Sequence, residues 1–141
     1  MAIALKRVYE PASSGDGVRV LVDRLWPRGL SKEAAGVKFW LRDLAPSNAL
    51  RKWYHANPEQ WNLFKKRYLK ELFEPDAAEA VEELYRLERG KRTITLLYGS
   101  RNEERNNATV LKELLEGSRK PPSSVGAAGS GGGRVRKTRK Q

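Results

Sequence analysis

The pattern of apolar and polar positions along the chain predicts strands separated by helices. Residues 3–8 alternate apolar and polar side chains, as a half-buried strand does. Residues 18–23 and 93–98 are apolar or β-branched at nearly every position, which is typical of strands covered on both faces. A further strand is predicted within residues 37–42, where two aromatic residues stand together.

Helical segments marked by capping residues separate these strands. Ser31 predicts the start of a short helix to residue 35, and residues 48–55 form a second helix of about two turns. Asn57, followed by proline, predicts the start of a third helix. Its apolar residues fall at helical spacing on one stripe: Trp61, Phe64, Tyr68 and Leu72.

Two further helices complete the pattern. Asp76 is the predicted cap of the fourth helix, which Gly90 ends. The last helix takes Asn102 or Asn106 as its cap and ends at Gly117. Because strands that alternate with helices form mainly parallel sheets, we expect a single three-layer α/β domain with a small, mainly parallel sheet and helices on both faces.

Composition changes sharply after residue 117. Residues 118–141 hold seven Lys or Arg, no acidic residue and no aromatic residue. Such a stretch cannot bury enough apolar surface to offset its ordering entropy, so we expect a disordered basic tail. Of the formal net charge of +11, residues 1–117 keep only +4. The folded part is therefore only mildly basic, and the tail alone suits weak, non-specific attraction to nucleic-acid phosphates.

Composition also excludes several kinds of site. The chain has no Cys and one His, which excludes disulfides, thiolate chemistry and a zinc site built from imidazoles within one chain. No apolar run approaches the roughly 20 residues that span a bilayer, and the N-terminus does not resemble a signal peptide. We expect a cytoplasmic protein without a membrane partner. No phosphate-binding loop, dinucleotide fingerprint or acidic cluster of ligand spacing is present, so no cofactor or metal is predicted.

Polar residues follow two of the buried strands, at the point where each strand ends: Asp23, Arg24 and Arg28 after one, and Tyr98, Ser100 and Arg101 after the other. In open α/β sheets, ligands bind beyond the carboxyl ends of the strands, so parallel neighbours would place both groups at one edge. Guanidinium groups and the free amides of a helix start suit a phosphate or a carboxylate. A structural ion pair is the alternative explanation of this pattern.

The segment 22–29, Val-Asp-Arg-Leu-Trp-Pro-Arg-Gly, resembles the YeaO-like family, small bacterial proteins named as a domain of unknown function. The likeness continues at residues 6–9, 45–47, 50–52, 95–98 and 106–111, and at positions 64, 67, 68, 71 and 72. It covers residues 1–117 and leaves the tail outside. The resemblance implies a cytoplasmic α/β domain without an established reaction.

The family pattern falls on ten residues of this chain: Arg7, Asp23, Arg24, Trp26, Arg28, Ser47, Arg51, Tyr68, Tyr98 and Asn106. Two positions depart from it. Family members often carry His where this chain has Asn107, so a mechanism that depends on that imidazole is not available here. Arg101 stands where Lys is common, which keeps the positive charge.

These observations favour a protein that binds a small anionic ligand, and they leave open whether the ligand is turned over. The predicted ligand-binding residues are Arg7, Arg24, Trp26, Arg28, Ser47, Arg51, Ser100, Arg101 and Asn106. The predicted catalytic candidates are Asp23, Tyr68 and Tyr98. The alternatives are non-specific nucleic-acid binding through the tail and a protein-interaction scaffold that uses exposed Trp side chains. The sequence does not determine the oligomeric state.

If the tail binds nucleic acid, removal of residues 118–141 abolishes most of the affinity for a short DNA duplex, as measured by fluorescence anisotropy. Affinity of the full chain falls by orders of magnitude as salt rises from about 50 to 200 mM, because each neutralised phosphate releases counterions. Equal binding by the shortened chain would place recognition on the folded surface instead.

Overall fold

A fully parallel sheet of four strands lies at the centre of the residues that the structure describes, and this confirms the predicted α/β class. The computed structural model describes residues 3–90 and 92–119. The strands are β1 (Ile3–Arg7), β2 (Val18–Leu21), β3 (Phe39–Trp40) and β4 (Ile94–Tyr98). Their order across the sheet is β1-β4-β2-β3, so β4, the last strand in the chain, pairs with both β1 and β2.

Five α-helices accompany the sheet within the same residues: α1 (Lys32–Ala35), α2 (Asn48–Ala56), α3 (Trp61–Glu71), α4 (Pro75–Arg89) and α5 (Asn107–Arg119). Short 3₁₀ turns at Ser14–Asp16 and Arg42–Leu44 precede β2 and α2. The predicted cap Ser31 is confirmed, and Ser47 caps α2 in the same way, because each hydroxyl accepts a hydrogen bond from a backbone N–H of the helix that follows.

The two faces of the sheet bury different partners. In β2, Val20 belongs to the larger apolar cluster, to which α2, α3, α4 and α5 all contribute. Leu21, one residue later, belongs to the smaller cluster on the opposite face, with Leu97 and Ala35 of α1. Helices therefore cover both faces, as predicted, and β2 and β4 send apolar side chains to both sides.

The predicted start of α3 at Asn57 is wrong. Asn57 instead ends α2, where its backbone N–H donates to Tyr54 O at 3.0 Å and its Nδ2 donates to Trp53 O at 2.9 Å. The helix α3 begins only at Trp61, after Gln60. The Asn57 side chain bonds backward to the helix behind it and is not available to cap the helix ahead.

The predicted cap of α4 is also wrong. Glu74 precedes the helix in extended backbone, and Pro75 occupies the first helical position, which needs no N–H donor. Asp76 therefore lies inside the first turn, where a negative charge is favourable. The helix α5 extends to Arg119, two residues beyond the predicted end at Gly117, and the predicted tail from residue 120 onward lies outside the described residues.

All four Trp side chains, which the scaffold alternative takes as exposed, are half-buried. Trp26 and Trp40 pack edge to face with ring centroids 5.4 Å apart. Trp61 stacks on Phe64, and Trp53 carries a guanidinium over its ring. A scaffold function based on exposed Trp therefore has no support in this fold.

A buried ion cluster lies on the face that α1 covers. Asp16 and Arg19 are 7% and 4% exposed, and their Oδ2 and Nη1 atoms are 2.6 Å apart. Lys6 Nζ lies 3.1 Å from the same carboxylate, and the Arg19 guanidinium also donates twice to Ala35 O. Burial alone would raise the pKa of Asp16, but donors from Ser13, Lys6 and Arg19 outweigh it and hold the pKa far below its usual range.

Asp16→Asn should lower the free energy of unfolding at pH 7 by about 3–5 kcal/mol, because Arg19 then stays buried without its counter-charge. The depressed pKa means that Asp16 stabilises the fold above the pKa of the unfolded chain, near 4, and less as pH falls through the acid range. The difference in free energy of unfolding between wild type and Asp16→Asn, measured by urea unfolding, should therefore become smaller as the pH is lowered.

The matched control is Asp43→Asn, the same change at an exposed carboxylate, which should shift stability by no more than about 0.5 kcal/mol. Equal effects of the two substitutions would contradict a stabilising role for the buried cluster.

Candidate functional site

The carboxyl ends of β2 and β4 meet at one edge of the sheet, as their parallel pairing requires. Just beyond them, the backbone N–H of Gly99 donates to Asp23 Oδ2 at 2.8 Å. A side chain at Gly99 would place its Cβ only 3.1 Å from that oxygen, so glycine permits the close approach. Asp23 therefore ties the loop after β2 to the loop after β4.

Asn107, the first residue of α5, completes the hydrogen bonding of this carboxylate. Its Nδ2 donates to Asp23 Oδ1 at 3.0 Å and to Val22 O at 2.9 Å. The sequence identified Asn107 only as a departure from the family pattern and missed its contact with Asp23. The available signal was its place directly after the cap of α5, at the same edge as Asp23.

The environment of Asp23 disfavours its charge. Burial raises the pKa of Asp23 above its ordinary value, while hydrogen bonds from Asn107 and Gly99 and the positive charge of Arg51 oppose that rise. Arg51 is exposed on α2, so a guanidinium open to solvent lies within electrostatic range of a half-buried carboxylate.

Arg24 lies beside Asp23 and has an unsatisfied donor. Its Nη2 donates to Ala45 O at 3.2 Å, whereas its buried Nε has no hydrogen-bond partner among the described residues. We call Asp23, Arg24, Arg51, Gly99 and Asn107 together the edge site. It contains two guanidinium groups and one carboxylate.

A cavity of about 400 Å³ adjoins Arg24 and reaches Ser47 at the start of α2, and its charge is of the opposite sign. Four acidic residues line it: Asp43, Glu71, Glu74 and Asp76. Arg24 is its one cationic lining residue within the described chain. An anion in this cavity would meet four carboxylates, so the cavity itself does not suit a phosphate or a carboxylate.

Ser47 joins the start of α2 to the end of α3. Its Oγ accepts from the Leu50 N–H at 3.1 Å and donates to Glu71 Oε2 at 2.6 Å, and its backbone N–H donates to Glu71 Oε1 at 2.8 Å. These bonds account for the hydroxyl as a cap, and the predicted role of Ser47 in ligand binding stays a prediction.

The two predicted catalytic tyrosines are buried. Tyr68 has no exposed surface, and its hydroxyl donates a short hydrogen bond to Leu44 O. Tyr98 is 2% exposed. Burial raises the pKa of both hydroxyls, strongly for Tyr68, where the charges of Asp23 and Glu71 add to the rise. The structure therefore keeps both protonated at neutral pH and places neither at the surface of the edge site.

Arg7 holds the loop that follows β4. Its Nε donates to Ser100 O at 3.0 Å and its Nη2 donates to Gly99 O at 3.2 Å. Through Gly99, this guanidinium supports the donor that binds Asp23. Ser100 itself is exposed, and its Oγ accepts from the Asn102 N–H at 3.1 Å.

The remaining predicted residues make other contacts, and their role in ligand binding stays a prediction. Trp26 Nε1 donates to Leu30 O at 2.6 Å, which folds the loop after β2 back on itself. Arg28 and Arg101 are exposed on separate loops, outside the contacts that build the edge site. Asn106 is buried and caps α5 as predicted, since its Oδ1 accepts from the Thr109 N–H at 3.0 Å.

Two findings concern the described residues as a whole. Among residues 3–90 and 92–119, no three His, Asp or Glu side chains are grouped so that they could share a metal ion. None of the described helices combines the length and the apolar character that crossing a membrane requires.

Comparisons with known proteins point to a single family. The family described as the inactive DUF488-N3 subclade matches residues 2–127, ten residues farther than the resemblance seen in the sequence. An uncharacterized protein of Mycobacterium tuberculosis, Rv3073c, is 44% identical over 115 residues, which are 82% of this chain and 94% of the relative. The uncharacterized protein YeaO of Escherichia coli K12 is 41% identical over 117 residues, covering 82% and 97%. No solved structure matches significantly.

Arg51→Gln should raise the pKa of Asp23 further, because it removes a positive charge that favours the carboxylate. The carboxyl ¹³C shift of Asp23, followed by NMR against pH, measures the change. An ionised Asp23 with a raised folded-state pKa costs stability above that pKa, so the variant should also lose stability at neutral pH and regain it in acid.

Lys52→Gln is the matched control. Lys52 is the exposed cation next to Arg51 on α2, and it is not among the groups that shift the pKa of Asp23. An equal shift of the Asp23 titration in both variants would mean that net charge, and not Arg51 itself, acts on the carboxylate.

Proposed function

Because the chain belongs to the inactive DUF488-N3 subclade, we propose that it is a binding domain and that its edge site takes a small anion. The anion is a phosphate or carboxylate group of a small molecule, held by Arg24 and Arg51 beyond the carboxyl ends of β2 and β4. The edge of a parallel sheet at which two loops and a helix start meet is the usual ligand position in such folds.

One observation supports this proposal above the others. The Nε of Arg24 is buried and unpartnered among the described residues, although buried polar atoms almost always have a partner. An oxyanion that accepts from this Nε would supply the missing acceptor, and guanidinium groups bind oxyanions with charge-assisted hydrogen bonds. Arg51 is exposed and its positive charge acts on the Asp23 carboxylate. It therefore adds a second positive charge to the edge site.

The surrounding charges indicate where the anion binds. The cavity next to Arg24 is lined by four carboxylates and repels an anion, whereas Arg51, one turn into α2, presents an exposed positive charge that acts on Asp23. The anion therefore binds near Arg51 and Asp23 rather than in this cavity. There Asn107 keeps the Asp23 carboxylate hydrogen-bonded, which reduces its repulsion of the guest.

The local chemistry supports binding without turnover. Tyr68 and Tyr98 are buried with raised pKa values, and both oxygens of Asp23 already accept hydrogen bonds. The buried tyrosines are poor proton donors or acceptors for a bound ligand, and the Asp23 carboxylate, although each oxygen keeps a free lone pair, is held in place by two hydrogen bonds. The family description as inactive is in agreement with this arrangement.

Phosphate, sulfate and a carboxylate such as citrate, added at constant ionic strength against chloride, should raise the melting temperature of the full chain. Ligand at 100 times its dissociation constant stabilises by about 2.7 kcal/mol, which corresponds to a rise of several degrees for a domain of this size. Arg24→Lys, which keeps the charge and removes the guanidinium Nε, should reduce the rise, and Arg51→Gln should weaken binding about tenfold or more.

Lys52→Gln again serves as the control and should leave the response to phosphate unchanged. A rise that is equal in wild type, Arg24→Lys and Arg51→Gln would place the anion elsewhere, and the absence of any rise above chloride would refute the proposal.

A further inference from the structure

The Arg24 guanidinium belongs both to the edge site and to the wall of the acidic cavity. Its Nη2 donates to Ala45 O at 3.2 Å, and both residues line the cavity. Its Nε, on the same planar group, is the buried donor without a partner among the described residues. An oxyanion that accepts from this Nε therefore lies beside a cavity of about 400 Å³, a size that is usual for small-molecule sites.

Three of the four carboxylates that line the cavity have no cation of their own. Asp43, Glu74 and Asp76 form no salt bridge with another residue in the part of the chain that the structure describes. Glu71 differs, because it accepts two hydrogen bonds from Ser47. Like charges that surround one cavity repel each other, and a positive group placed among them is attracted by all of them.

The cavity and the second cation of the edge site are neighbours along α2. Ser47 lines the cavity, and the Arg51 N–H donates to Ser47 O at 2.9 Å, one helical turn farther on. Residues four apart lie on the same side of a helix, and one turn rises by about 5 Å. The charge of this surface therefore changes from positive to negative over a short distance, with Arg24 between the two regions.

Apolar groups complete the cavity between these charges. Ala45, Leu72, Pro75 and Ala77 line it together with the carboxylates. Methylene groups of a ligand would lose contact with water against such a wall, which favours binding in proportion to the apolar area that is covered.

We propose that the anion of the edge site is one end of a dipolar molecule whose other end is an ammonium group. The oxyanion binds Arg24 and Arg51, the ammonium lies among the carboxylates of the cavity, and a short aliphatic chain joins the two. The inference rests on the proposed function, because it names the class of ligand that the edge site takes. Short aminocarboxylates and aminoalkyl phosphates share this chemistry.

The acidic cavity thus acts as a selectivity element. A plain anion at Arg24 feels the repulsion of the nearby carboxylates, whereas a dipolar ligand pairs its ammonium with them. Because the two charged regions are about one helical turn apart, γ-aminobutyrate is a suitable carboxylate probe and phosphoethanolamine a suitable phosphate probe.

NMR titration of the ¹⁵N-labelled full chain at constant ionic strength tests the proposal. γ-Aminobutyrate is compared with butyrate, and phosphoethanolamine with methyl phosphate, so that each pair differs by the ammonium group. In at least one pair the dipolar compound should bind about tenfold or more tightly, and the pair that shows the preference identifies the oxyanion as a carboxylate or a phosphate. Arg24→Lys should weaken binding of both members of that pair.

A double variant, Asp43→Asn with Glu74→Gln, should lose the preference without weakening the plain anion. Both side chains are exposed, so the fold should be kept, and Asp76 is left in place because its charge favours the start of α4. The control is Glu79→Gln with Glu82→Gln, which removes the same charge at exposed positions of α4 outside the cavity and should retain the preference. Equal loss in both double variants would overturn the proposal.

The plain anions separate this inference from the proposed function. If butyrate or methyl phosphate binds and neither dipolar partner binds more tightly, the dipolar ligand is refuted while the edge site remains an anion site. If none of the four compounds binds, both proposals fail. Binding of n-butylamine as tight as that of γ-aminobutyrate would also refute the dipolar ligand, because the oxyanion would then contribute nothing.

Discussion

The pairing of β4 with two neighbours is the constraint on which the sheet depends. β4 is buried at every position and lies between β1 and β2, although more than seventy residues separate it from Leu21 of β2, whose partner is Leu97. Without this strand, the sheet would separate into β1 and a short β2–β3 pair. The chain leaves β4 at Gly99, whose N–H reaches Asp23, so the strand that joins the sheet also assembles the edge site.

Local signals were sufficient to predict the element types. Strands that are apolar at every position are buried on both faces, and a serine before an amphipathic segment caps it, as Ser31 and Ser47 do. The failures at Asn57 and Asp76 have two different causes. Asn57 bonds to the preceding helix, and proline takes the first position of α4. Strand order was not predictable, because it joins residues that are distant in sequence.

The place of the candidate site could be predicted, but its membership could not. The edge beyond β2 and β4 follows from parallel pairing alone, and Asp23 and Arg24 lie there. The loop that carries Arg28 folds back on itself through the Trp26 hydrogen bond to Leu30, a contact that no spacing rule reveals. Asn107 was missed because an amide at a helix start resembles a cap until its partner is known. The acidic cavity unites residues from three separate segments, so its charge appears only in three dimensions.

The Asp23 segment is also attached to an aromatic pair. Trp40 Nε1 donates to the carbonyl oxygen of Asp23 at 2.8 Å, and Trp26 packs edge to face on Trp40. Indole emission is sensitive to its hydrogen bonds and to nearby charge. Two of the four tryptophans thus form a built-in optical reporter one hydrogen bond from the backbone of Asp23, so a ligand of the proposed edge site can be sought by fluorescence without attaching a dye.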